Sequence, residues 1–98
     1  MLRHLALLKF SDNTPDGHIA TFRDKMQALV PVIPEIISLE FGTDELHTTR
    51  SWDVALVMSF ADVQGLQTYL AHPDHVAIAD FNKPYLVNIA SVDYTIPA

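Results

Sequence analysis

An α+β fold in the order β-α-β, β-α-β is predicted for this 98-residue sequence by three features. Four short segments rich in aliphatic, aromatic and β-branched residues read as strands, at 2–10, 36–41, 53–60 and 86–94. The first and second, and again the third and fourth, are separated by stretches whose apolar residues recur every three or four positions, the period of a helix face. Proline, glycine and short polar residues punctuate the joins. This order is the ferredoxin-like arrangement: a four-stranded antiparallel sheet with its helices on one face.

The elements follow in sequence. In 2–10, His4, Ala6, Leu8 and Phe10 alternate with Leu5 and Leu7. Thr14-Pro15-Asp16 has the chemistry of a helix start, with an N-cap hydroxyl, proline at the first helical position and an acid at the positive dipole end. Ile19, Phe22, Met26, Leu29 and Val30 form the apolar stripe of that helix, which Pro31 and Pro34 end. Strand 36–41 is closed by Gly42, and 43–51 reads as a polar loop. Strand 53–60 sets Val54, Leu56, Met58 and Phe60 on one face and Ala55 and Val57 on the other. Asp62 is the expected N-cap of a second helix carrying Val63, Leu66, Tyr69 and Leu70. His72-Pro73 breaks it, and Pro73 is placed to open a short third helix to about Phe81. Lys83-Pro84 turns the chain into the last strand.

The first and third strands are apolar on both faces, whereas a sheet covered on one side and wet on the other alternates apolar with polar. Helices on one face leave Leu5, Leu7, Ala55 and Val57 uncovered. With 49% apolar residues in one small domain over 1–98, a second copy packed face to face about a two-fold axis is the expected cover. The alternative is that loops and the C-terminal segment cover that face. The apolar runs fall short of the roughly 18 residues of a membrane span. Cysteine is absent, which removes disulfides, thiolate metal ligands and a thiol nucleophile. The net charge of −6, with six scattered basic residues, argues against nucleic acid and anionic membranes as partners. A strand pattern that begins almost at Met1, with no signal-like apolar segment, reads as cytoplasmic.

The stretch Tyr69 to Val76 carries the chemistry-bearing residues, a phenol and two imidazoles around one proline. His75, in the first turn of a helix opened by Pro73, is expected to be neutral because the dipole there disfavours imidazolium. It is then able to accept a proton, while Tyr69 one turn before the break donates a hydrogen bond to a carbonyl oxygen as charge develops. No metal or organic cofactor is needed for that step. The rival reading makes Tyr69 a core tyrosine, His72-Pro73 punctuation, His75 a satisfied helix-end residue and His4 a satisfied histidine on an apolar strand face. A metal site from His4, His72 and His75 is disfavoured by the intervening proline and the lack of a convincing neighbouring carboxylate. Carbonyls where the first helix ends, near Val30 and Ile33, could hold a structural cation. Arg50 and Trp52 are candidates for a pocket mouth; Asp93 and Tyr94 are expected to finish the last strand at the dimer edge.

Taken together, Arg3-His4-Leu5, Trp52 through Phe60, Tyr69…His72-Pro73-Asp74-His75 and Asp93-Tyr94 resemble the stress-responsive dimeric α+β barrel (Dabb) family over nearly the whole chain. The resemblance implies a homodimeric α+β barrel with a pocket between helices and sheet in each subunit. The family includes plant stress proteins, bacterial members without an assigned role and a plant polyketide cyclase. In that cyclase the histidine matched by His75 is the base, the tyrosine matched by Tyr69 assists, and the histidine matched by His4 lies near the substrate. Fold and motif do not fix function. The first expectation is a dimer that binds a small, mainly apolar carbonyl compound and transforms it by cofactor-free acid–base chemistry of cyclase or lyase type. The alternatives are a non-catalytic stress-response domain with a structural or assembly role and, by fold analogy alone, a cofactor-independent monooxygenase.

Overall fold

The computed structural model describes residues 1–97. Strands β1 (Leu2–Phe10), β2 (Ser38–Thr43), β3 (Val54–Phe60) and β4 (Leu86–Thr95) form one sheet in the order β2-β3-β1-β4. Every neighbouring pair is antiparallel. Helices α1 (His18–Leu29), α2 (Val63–Ala71) and α3 (Pro73–Asn82) complete the expected ferredoxin-like order. In β1, Leu2, His4, Ala6 and Leu8 are buried; in register beside them lie Phe60, Met58, Leu56 and Val54 of β3. Period-two alternation therefore sends one face of the two central strands into a core shared with Phe22, Met26, Ile33, Leu66 and Tyr69. No helix among the described residues is long and apolar enough to cross a membrane.

Several boundaries differ from the expectation for local reasons. Thr14 does not cap α1: its hydroxyl donates to the Ser11 carbonyl, 2.7 Å away, closing a turn. The chain makes a further turn at Pro15 before entering the helix through Gly17 at φ 83°. That left-handed conformation costs glycine little, and nothing lies within 4 Å of where a Cβ would stand, so the constraint is torsional rather than steric crowding. Val30, placed on the stripe, is the exposed C-cap of α1. Ile33 and Ile36 plug the core from the connection itself, and β2 begins only at Ser38 and runs on through Gly42. The Ile33 carbonyl already accepts from the Ile36 N–H at 3.1 Å. Asp53 precedes β3; its N–H donates to the Leu8 carbonyl and its carboxylate accepts from the Phe10 N–H at 2.7 Å, where the register of β1 against β4 shifts. Asp62 caps α2 as expected, accepting from the Gly65 N–H at 2.9 Å.

The opposite face of the sheet carries Leu5 and Leu7 of β1, Ala55 and Val57 of β3, and Ala90, Val92 and Tyr94 of β4. Nothing among the described residues covers it: Leu7, Val92 and Tyr94 are 38%, 55% and 43% exposed. The described part of the C-terminal segment, to residue 97, therefore does not act as a lid on this face. Arg50 and Trp52 lie beside a depression on this side with Leu7 and Ala55, away from the helical layer, so they do not frame the pocket beside Tyr69 and His75.

Candidate functional site

A cavity of about 300 Å³ lies between the buried sheet face and the helices. Its walls are mostly apolar, with Ala6, Leu8, Phe22, Met26, Leu56 and Ile78 contributing. Against them stand six polar side chains: His4, Tyr69, His75, Asn82, Ser91 and Asp93. Size and character suit a small organic molecule whose few polar atoms are individually recognised.

The α2–α3 break builds the centre of the site. Proline lacks the N–H that would continue α2, yet suits the first position of a new helix, so α3 starts at Pro73. His72 is more than punctuation: it is the N-cap of α3, its Nδ1 accepting from the Asp74 N–H at 3.1 Å. Where α2 ends, its last carbonyls lose helical partners. The Leu70 carbonyl is taken instead by His75 Nδ1, 3.1 Å away. A carbonyl only accepts, so Nδ1 carries the proton, and neutral His75 has its lone pair on Nε2. The Tyr69 and His75 rings lie 4.3 Å apart between centroids. A phenol from the last turn of one helix and an imidazole from the first turn of the next are thereby brought to one cavity wall.

The electrostatics follow from burial. The His75 pKa is lowered from 6.5, first by desolvation, with smaller contributions from His4 and His72, while the bond to Leu70 opposes the shift. Burial, rather than the helix dipole expected from the sequence, is the main cause. The Tyr69 hydroxyl is pushed above its ordinary value by desolvation. It is a neutral donor throughout the physiological range, and none of the side-chain hydrogen bonds among the described residues involves it.

His4 reaches the same cavity from β1, with its ring centroid 6.5 Å from that of Tyr69 in an edge-on arrangement. Its Nδ1 donates to the Asp93 carboxylate of β4. Asp93 and Tyr94 lie near the end of the last strand, as expected, but face opposite sides of the sheet. Tyr94 lies on the outer face beside Arg3, whereas Asp93 sits in register with His4 and orients its imidazole, leaving Nε2 without a hydrogen-bond partner among the described residues. At the other end of α3, the Asn82 Oδ1 accepts from Nε2 of buried His18, 2.8 Å away. Sequence reading passed over both pairs. Among the described residues, no three His, Asp or Glu side chains are grouped so as to hold a metal ion.

Comparison with known proteins places this architecture. The family model for the stress responsive A/B barrel domain (Dabb) matches residues 2–96. The olivetolic acid cyclase of Cannabis sativa is 26% identical over 96 residues, spanning 96% of this chain and 95% of the cyclase. A dimeric ferredoxin-like protein from Bacteroides fragilis superposes with a TM-score of 0.87 at 26% identity, covering 97% of this chain and 95% of that one. The hydroxynitrile lyase of Passiflora edulis shares the fold, with a TM-score of 0.85 at 18% identity over 98% and 93% of the two chains.

Proposed function

This chain belongs to the stress-responsive A/B barrel (Dabb) family, and from that premise we propose that it binds a small, mainly apolar carbonyl compound and catalyses a cofactor-free proton transfer at carbon. The observation that carries the reading is the fixed tautomer of His75 beside Tyr69 in an apolar cavity. His75 Nε2 takes the proton from the carbon next to a carbonyl. The C–H electron pair moves into the carbonyl group, and the enolate oxygen that forms accepts a hydrogen bond from the Tyr69 hydroxyl. The enolate carbon then attacks a second carbonyl of the same molecule, or is reprotonated by the imidazolium. His4, oriented by Asp93 through Nδ1, offers Nε2, which in the neutral ring accepts a hydrogen bond from a hydroxyl or enol O–H of the substrate. The relative from Cannabis sativa, named as a cyclase, is consistent with this class of reaction.

We further infer that the working unit is a homodimer paired through the outer sheet face. The support is an apolar face left uncovered, together with Arg3 Nε on the same side, buried and without a hydrogen-bond partner among the described residues. The similar Bacteroides fragilis protein is dimeric.

The test uses benzoylacetone, an aryl 1,3-diketone, in heavy water. The protein is expected to accelerate loss of the proton signal at the carbon between the carbonyls, above the rate in matched buffer. The rate should hold through neutral pH and fall only below the ordinary imidazole value of 6.5, because protonated His75 cannot serve as base and burial lowers its pKa. Tyr69 adds no alkaline limb below its ordinary value of 10.0, its pKa being raised. Exchange at the buffer rate, or a limb centred above 6.5, would count against the reading. Oxygen uptake with a quinol substrate, in the absence of metal or flavin, would favour a monooxygenase instead.

A further inference from the structure

Asn82 is a polar group of the cavity that takes no part in the proton transfer. Asn82, the last residue of α3, is 3% exposed and lines the same cavity as His75. Its Oδ1 is held at 2.8 Å by His18 Nε2, which must donate. The His18 ring is fixed in turn: it stacks on Phe81 at 4.2 Å with 6° between planes, and meets Tyr85 edge-on at 5.0 Å. The amide cannot rotate without giving up that bond. With the oxygen occupied, its NH2 is left with two donors and no partner among the described residues. The amide nitrogen is not sealed off from the cavity that Asn82 lines, so its N–H groups are open to an oxygen acceptor placed there.

His75 and Asn82 are seven residues apart, two turns along α3, with Ile78 and Ala79 on the same cavity-facing side. That separation is about 10 Å along the helix axis. We infer that Asn82, positioned by His18, is a specificity residue that donates a hydrogen bond to a second oxygen acceptor of the substrate, two helical turns from the carbon deprotonated by His75. The inference rests on the reading of the cavity as a carbonyl-binding site and narrows it. The substrate class becomes a carbonyl compound with a distal carbonyl or ether oxygen across an apolar spacer, rather than a simple ketone with a hydrocarbon tail. The apolar walls between the two ends fit such a spacer.

The experiment compares two probes by calorimetric titration, benzoylacetone and its analogue carrying an acetyl group para on the ring. Wild type is expected to bind the acetyl analogue about tenfold more tightly, the worth of one hydrogen bond. In Asn82→Leu the ratio of the two affinities should fall to about one. Because that change leaves the His18 N–H buried without an acceptor, the paired variant His18→Phe/Asn82→Leu removes both polar partners and should show the same ratio even if the single variant folds poorly. His18→Phe alone, which frees the amide to turn, should reduce the preference without abolishing it. A preference that survives in the paired variant, or equal binding of the two probes by wild type, overturns the role of Asn82 while leaving the carbonyl site standing. Failure of wild type to bind either probe refutes the carbonyl site and the anchor together.

Discussion

His75→Ala is expected to lower the rate of carbon-proton exchange by about 10²–10⁴-fold, the usual worth of a positioned general base. The folded state should barely change. His75 is only partly buried, and its one hydrogen bond is to the Leu70 carbonyl at a helix end, where solvent can replace it. Tyr69→Phe is expected to cost about a hundredfold by removing the donor to the enolate oxygen. It keeps the ring that packs 5.4 Å from Phe60 in the core. The checks are exchange rates by proton NMR beside thermal unfolding of each variant. If His75→Ala unfolded the protein, or left exchange intact, the histidine would be a structural element of the α2–α3 corner and the stress-domain reading would gain.

Val92→Asp is expected to convert a dimer into a monomer without unfolding the chain. Val92 lies opposite Leu5 on the outer sheet face and is 55% exposed in the single chain, so a carboxylate there remains solvated in the monomer. In a face-to-face pair it would be desolvated, at a cost of about 3 kcal/mol or more, roughly a hundredfold in Kd for each copy of the mutation. Leu7→Asp on β1 should act in the same way. Light scattering at micromolar concentration is expected to give twice the 10.9 kDa chain mass for wild type and a single chain mass for the variants. A monomeric wild type would contradict the pairing, and variants that stay dimeric would move the interface off this face.

The sequence exposed most of the fold because its information there is local. Period-two and period-3.6 patterns, with proline at 73 and the Asp62 cap, depend on neighbours a few residues apart, and the resulting elements agree within a few residues. Where the reading failed, the deciding interaction was chemistry that two conformations satisfy equally well. Thr14 can cap a helix or close a turn, and the preference of Gly17 for a left-handed torsion decided between them. The loop holding Arg50 and Trp52 can fold over either face of the sheet.

The site was legible in part for the same reason. Tyr69 and His75 flank one proline, so a helix break alone suffices to suggest that they meet. His4 and Asp93 are 89 residues apart and come together only through the register of β4 on β1, which shifts at Lys9/Phe10. Nothing in the alternation of β4 says which polar residue will stand beside His4. The His18–Asn82 pair spans 64 residues and depends on how α1 packs against α3. An amide at the end of an apolar helix face was the signal available, and it resembles an ordinary helix terminus.

Nitrogen-15 NMR of histidine-labelled protein, with His75 assigned by its loss in His75→Gln, tests the base directly and needs no substrate. At pH 7 the His75 Nδ1 is expected to carry the proton and Nε2 to resonate as an unprotonated ring nitrogen, with titration only below the ordinary value of 6.5. A proton on Nε2 at pH 7, whether in the other tautomer or in imidazolium, would leave no lone pair to take a proton from carbon and would contradict the account.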